Sequence, residues 1–415
     1  METSICGHIM KIKYFCMMRK TTDMKTKTFL LAIALCCVLG AKAQDEKAWI
    51  GTWAAAAEFT GPSDMPASPL TNRSLREIVK VSIGGDQLRL RLSNEFSRQA
   101  VEIKSVFIAD ALDSCDIAPK TARYLTFSGR RNVTIAPGAT LWSDVCHYPL
   151  RPLQRLAVTI SYGSTPENAT SHRGSRTTSY IISGEAKPKT RFGQGERVDH
   201  WYNIAAIDVP AAGQECIAVL GNSITDGRGS TTNKQNRWPD IMAEALAASG
   251  KPYAVLNLGI GGNCVMEGGL SEPAMKRFDR DILGQNGVRT LIIFQGTNDI
   301  GTSRHSEQTA RKLKEAYTTL AEKAHAAGLR VLGATITPFK GNGWYSPYHE
   351  AARQEVNAWI RTTKSFDGVI DFDELMRDPS APDQMRKAVQ EDWLHPNAAG
   401  YEEMGRFAAQ EILKK

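Results

Sequence analysis

Apolar residues follow two different rhythms along this chain, and the change falls near Gly213. From Trp49 to about Val209 they come in short runs broken by turn residues. The runs Leu75–Ile83, Gln87–Leu92, Val101–Ala109, Val133–Ile135, Leu156–Tyr162 and Ser179–Ser183 read as strands. In Leu88-Arg-Leu-Arg-Leu92 leucine and arginine alternate strictly, so the leucines share one face of a strand and the arginines the other. Gly84-Gly85 and Pro137-Gly138 mark turns, and no run in this half has the length of a helix. About 150 residues of such pattern predict a β-sandwich-like fold.

Beyond Gly213 the pattern becomes strand, Gly-rich turn and helix, repeated. Cys216–Leu220, Ala254–Leu258, Thr290–Phe294, Leu329–Thr335 and Gly368–Asp371 read as buried strands. Between and after them Pro239–Ala248, Glu307–Ala327, Ala351–Thr362 and Ala398–Leu413 read as helices. This alternation predicts an α/β fold whose parallel sheet is covered on both faces, with a ligand crevice at the carboxyl ends of the strands. The expected organisation is a leader over 1–43, a β-rich domain over 44–212 and an α/β domain over 213–415.

Charge changes this picture little. The 415 residues carry 51 Lys/Arg against 44 Asp/Glu. Seven of the bases and two of the acids fall before Gln44, so the remainder is nearly neutral and no nucleic-acid partner is expected. The leader itself has a positive stretch from Met24, an apolar run from Phe29 to Leu39 and Ala41-Lys-Ala43 as a cleavage site. That is the layout of a secretory signal peptide; Met24 is the expected true start, and export places the chain in a periplasmic or extracellular setting. The apolar run is well short of the roughly 20 residues that cross a bilayer, so no span is expected in the mature chain. Four cysteines remain after the leader: Cys115, Cys146, Cys216 and Cys264. Export permits a Cys115–Cys146 disulfide, and four buried thiols are the equal alternative. No metal-ligand spacing of Cys or His occurs.

The candidate chemistry lies at the strand ends. Gly221-Asn-Ser-Ile-Thr-Asp-Gly227 follows the first strand, and Ser223 is the residue there able to act as a nucleophile beside a base. A loop serine that merely caps the next turn is the plain alternative. The stretch lacks the spacing of a phosphate loop and of a Gly-Xaa-Ser-Xaa-Gly elbow. Asn257-Leu-Gly-Ile-Gly-Gly-Asn263 ends the second strand without the third glycine of a dinucleotide fingerprint, and Gly262 can present a backbone N–H to an oxyanion. Gln295-Gly-Thr-Asn-Asp299 ends the third and offers the Asn298 amide, which alone reads equally as a turn residue. Before the last helix, Asp392-Trp-Leu-His395 sets a carboxylate three residues ahead of an imidazole, a spacing that lets one ring nitrogen be held while the other serves as base. Asp371 and Asp373, after the last strand, are alternative partners for His395.

Ser223, Gly262, Asn298 and Asp392/His395, in this order, resemble the four motif blocks of the SGNH (GDSL-type) hydrolase family over roughly residues 216–410. Asn222 departs from the family's usual Asp. The N-terminal half, with Trp49-Ile-Gly-Thr-Trp-Ala-Ala-Ala56 and Arg89-Leu-Arg-Leu-Ser-Asn-Glu-Phe96, is similar to the β-rich extension of secreted arylesterase/acylhydrolase-like members and brings fold rather than catalytic residues. The resemblance implies a flavodoxin-like three-layer sheet and a secreted serine esterase. His395 would then take the Ser223 proton, Asp392 would fix the imidazole and raise its basicity, and Ser223, Gly262 and Asn298 would hold the oxyanion. No metal or organic cofactor is implied. Short-acyl esters of carbohydrates are the expected substrates. A lysophospholipase-like lipid acylhydrolase and a non-catalytic carbohydrate-binding protein are the alternatives, and no feature speaks to oligomeric state.

Overall fold

Five parallel strands make the sheet that the second half of the sequence predicts: β1 (Cys216–Gly221), β2 (Ala254–Gly259), β3 (Val288–Phe294), β4 (Arg330–Ala334) and β5 (Gly368–Ile370). The structure is a computed structural model that describes residues 48–211, 213–251 and 253–414. The signal-peptide pattern and Met24 lie outside the described residues. The strand order is β2-β1-β3-β4-β5, and it leaves a crevice at the carboxyl end between β1 and β3. Register keeps the strand ends level, with Leu220 opposite both Leu258 and Ile293.

Strand β1 is apolar at every position, and so is the Leu291–Phe294 stretch of β3, because helices cover both faces. Ile217 and Val219 of β1 point into one cluster with Trp238, Met242 and Leu246 of helix α1 (Trp238–Ala248) and Tyr401, Met404 and Ile412 of a closing helix over Ala398–Leu413. The intervening Ala218 and Leu220 point the other way, into a cluster with Leu313, Tyr317 and Leu320 of helix α2 (Ser306–Ala326) and Val356 and Ile360 of helix α3 (Pro347–Thr362). Period-2 alternation along one strand therefore divides the two helical layers.

The N-terminal half is built almost wholly of antiparallel strands, and the ones expected are present within a few residues of their predicted bounds. Arg73–Lys80, Arg155–Tyr162, Val101–Asp110 and Ser179–Ser183 belong to one seven-stranded sheet. Gly85–Ser93 lies in a second, five-stranded sheet beside two strands that the hydropathy pattern does not single out, Trp49–Ala54 and Ile204–Pro210. Leu88, Leu90 and Leu92 are fully buried as their alternation predicts. The arginines on the other face are not left to solvent: Arg89 pairs with Asp208, and Arg91 donates to the Gly284 carbonyl at 3.2 Å. A small third sheet joins Glu58–Phe59, Thr170–His172 and Trp201–Tyr202.

Trp49–Ala54 also lies against β2. Gly51 packs on Leu256, the Gly51 N–H donates to the Asn286 carbonyl at 3.0 Å, and the Val255 N–H donates to Ser82 Oγ at 3.0 Å. Ile50 and Trp53 sit in the same apolar cluster as Leu256 and Leu258, so one core runs through both halves. Cys115, Cys146, Cys216 and Cys264 are unpaired thiols, which corrects the disulfide alternative: Cys115 is enclosed by its own cluster and Cys146 stands partly exposed on a strand.

Candidate active site

Strand β1 ends at Gly221, and the chain turns at once into a single helical turn, Ser223–Asp226. Asn222 caps that turn, its side-chain oxygen accepting from the Ile224 N–H at 3.0 Å, as an Asp would. Ser223 is thus the first residue of the turn, where the backbone N–H has no intrahelical acceptor. The turn is braced from beneath. The Gly221 carbonyl accepts from Gln295 Nε2 at 2.8 Å and from the fully buried Arg277 guanidinium at 3.1 Å, and Asn257 Nδ2 donates to the Thr225 carbonyl at 2.7 Å.

The Ser223 hydroxyl meets His395 Nε2 at 2.8 Å. On the far side of the ring, Nδ1 lies 2.9 and 3.1 Å from the two Asp392 oxygens. A carboxylate accepts only, so Nδ1 carries the proton and Nε2 is free to accept from Ser223. The same Asp392 carboxylate accepts the N–H groups of Leu394 and His395 at 3.1 and 2.8 Å. This tight bend requires Trp393 to adopt a left-handed conformation at φ 63°, an uncommon state for a bulky residue. Asp371 and Asp373 are engaged elsewhere, by Arg361 and the buried Arg353.

Burial dominates the titration of His395 and lowers its pKa below the ordinary 6.5, outweighing the upward pull of Asp392; the guanidiniums of Arg228 and Arg176 add to the lowering. The expected rise in basicity from Asp392 is therefore present but loses to desolvation and like charge. Asp392 is itself raised by partial burial, and the His395 ring and the two backbone N–H donors more than reverse this, leaving it below its ordinary value.

Gly262 and Asn298 reach the same place from β2 and β3. Gly262 has φ 67° and the Leu270 side chain lies directly over it, so a side chain there would be both strained and crowded. Asn298 is 3% exposed and uses one of its two amide N–H donors on the Asn263 carbonyl at 2.7 Å. The neighbouring Asp299 fixes the segment after Gly262 by accepting from Val265 and Met266, and burial pushes its pKa up to about 6. Ser223, Gly262, Asn298, Asp392 and His395 all line one open cleft of ≈ 750 Å³.

Sequence reasoning missed the opposite wall. Glu58, Asp64, Arg173, Gly174 and Arg176, all from the β-rich half, line the same cleft. Arg173 is held by Glu58 at 2.7 Å, and Arg176 reaches Asp226 at 3.3 Å. The only trace of this in the sequence is the density of Ser, His, Arg and Gly in Ser171-His-Arg-Gly-Ser-Arg176, a polar stretch whose neighbours across the cleft are set by tertiary packing. Among the described residues no group of His, Cys, Asp and Glu is arranged to hold a metal ion, and no helix is long and apolar enough to cross a membrane.

Residues 219–403 match the model of the GDSL-like Lipase/Acylhydrolase family. This stretch is a GDSL-like lipase/acylhydrolase domain. As such it is a carboxylic ester hydrolase, and the serine, imidazole and carboxylate just described fall within the matched residues. Solved structures with similarity to the chain include a GDSL-like lipase from Bacteroides thetaiotaomicron VPI-5482, 20% identical over 49% of this chain and 91% of that one, with a TM-score of 0.38. A lipase/acylhydrolase from Enterococcus faecalis is 23% identical over 48% and 95%, with a TM-score of 0.37. The aryl esterase of M. Smegmatis is 15% identical over 48% and 99%, also at 0.37. No curated protein matches the chain.

Proposed function

We propose that the GDSL-like domain cleaves its ester through an acyl-enzyme on Ser223. The observation that carries this reading is the unbroken chain from Asp392 through His395 to the Ser223 hydroxyl, at 2.9 and 2.8 Å, opening into the cleft. Ser223 Oγ attacks the carbonyl carbon while its proton passes to His395 Nε2. The carbonyl oxygen becomes an oxyanion, held by the N–H groups of Ser223 and Gly262 and by the second amide N–H of Asn298. As the carbon–oxygen bond to the leaving group breaks, Nε2 returns the proton to that oxygen. A water molecule then repeats the sequence on the acyl-enzyme and frees the acid.

The substrates we propose are short-acyl esters of polar alcohols, carbohydrates foremost. Support comes from the cleft walls: three guanidiniums and four carboxylates line it, with Leu270, Leu394 and Trp344 as its large apolar side chains. Such walls favour a hydroxyl-rich leaving group over a long alkyl chain. We further propose that the chain is exported, on the signal-peptide layout of the leader, and that the β-rich half is a sandwich, since the inward residues of both its larger sheets fall in one cluster. The test is hydrolysis of p-nitrophenyl acetate, butyrate and decanoate by wild type and by Ser223→Ala. Fast acetate turnover that falls with chain length and vanishes in the variant is expected; preference for decanoate would favour a lipid acylhydrolase instead.

A further inference from the structure

Asp226 ends the one-turn helix that Ser223 begins, and its carboxylate is 1% exposed, a costly position for a charge without compensation. The compensation comes from the other half of the chain. His172 Nε2 lies 2.9 Å from Asp226 Oδ1, and Arg176 Nη2 lies 3.3 Å from Asp226 Oδ2. Gly174, between them, passes so close that a Cβ there would overlap the Asp226 carboxylate. The other nitrogen of His172, Nδ1, lies 2.9 Å from the Ala56 carbonyl and 3.6 Å from Glu58 Oε2, and the ring stacks on Trp201. Both ring nitrogens thus face acceptors. A neutral imidazole has one N–H and satisfies one of them; an imidazolium satisfies both.

We propose that His172 is a positioning residue, held as an imidazolium, that ties the β-rich half to the Ser223 turn and keeps the nucleophile in register with its wall. The proposal deepens the esterase reading and rests on it. Loss of the second proton turns a donor into an acceptor facing either Asp226 or the Ala56 carbonyl, so the tie weakens whichever tautomer forms. The surrounding charges agree. Burial alone would lower the His172 pKa, but Asp226 and Glu58 outweigh it and leave it above the ordinary 6.5. Of the cations nearby, Arg173 is occupied by Glu58; burial alone would raise the Asp226 carboxyl, but His172 first, then Arg176 and Arg237, hold it below its usual range.

Activity then has two limbs with separate owners. The acid limb belongs to His395, which must be neutral, and an alkaline limb belongs to His172, which must be charged. The experiment is kcat and KM for p-nitrophenyl acetate against pH in wild type, His172→Gln, His172→Ala and Asp226→Asn. His172→Gln keeps one donor and cannot titrate: it should hold kcat within about tenfold of wild type and lose the alkaline limb. His172→Ala should lower kcat at least about tenfold with less effect on KM. Asp226→Asn removes the charge that sustains the imidazolium, so its limb should move to lower pH. An alkaline limb absent from wild type, or one that survives in His172→Gln, overturns the proposal. A second measurement needs no turnover: nitrogen NMR of His172 in Ser223→Ala at pH 7 should show both ring nitrogens protonated, and a neutral ring overturns the proposal even if the alanine variant at 172 fails to fold. Absence of wild-type turnover sinks the esterase reading alone, and the NMR measurement still decides the state of His172.

Discussion

Two side chains in the cleft have separate tasks: Asn298 donates to the charge that develops on the substrate, and His395 takes the proton of the nucleophile. Asn298 already spends one N–H on the Asn263 carbonyl, which fixes its amide plane before any ligand arrives. Its Ala variant should lose about 10²–10³-fold in kcat with a smaller change in KM, the pattern of a donor that matters in the transition state. Unchanged kcat with raised KM would instead make Asn298 a ground-state contact. The second expectation concerns His395. It must be neutral to accept the Ser223 proton, and its pKa lies below 6.5, so kcat/KM should rise along an acid limb centred below pH 6.5 and be complete at neutrality. Asp392→Asn removes the one influence that raises this pKa, and it also frees the ring to adopt the wrong tautomer. Activity should drop by up to about 10⁴-fold, with the remaining limb shifted further toward acid. Profiles from pH 4 to 8 check both the position and the sign of that shift.

Between residue and domain, strand ends hold the site together through one buried guanidinium. Arg277 donates to the carbonyls of Gly221 and Leu258, to Asn263 Oδ1 and to Asp281, so β1, β2 and the segment bearing Gly262 share a single ligand. Burial lowers its pKa, and Asp281 at 2.9 Å compensates only in part. Arg277→Ala would leave Asp281 to Arg280 alone and take one donor each from the Gly221, Leu258 and Asn263 oxygens, and a loss of about 1–3 kcal/mol in urea unfolding is expected. The sequence reveals β1 and β3 because burial on both faces leaves an unbroken apolar run. It reveals Ser223, Gly262 and Asn298 because each follows a strand, and Asp392 and His395 by their spacing just ahead of the closing helix. It conceals the one-turn helix over Ser223–Asp226, too short for any period to register, and it conceals the role of Asn222, whose capping bond is visible only once the turn exists. It conceals His172 and Arg176 for a different reason: their partners lie some 50 positions away across a packing boundary, where neither strand nor helix periodicity extends.

At the scale of the whole molecule, the β-rich half and the GDSL-like domain are joined by backbone as well as side chains. Gly51, Ser82 and Arg91 bond to Asn286, Val255 and Gly284, while Ile50 and Trp53 share a cluster with the strands of the parallel sheet. A fragment beginning at Gly213 would uncover Leu256 and its neighbours and lose the wall carrying Arg173 and Arg176. It is expected to be insoluble or aggregated on expression, and a soluble, active fragment would contradict a shared core. The same continuity governs how the protein fails on heating. An appended module would melt on its own and leave the catalyst working, giving two heat-absorption peaks with activity lost only at the second. With one core running through both halves, a calorimetric scan should trace a single peak, its van't Hoff and calorimetric enthalpies should agree, and esterase activity should decay along the same curve.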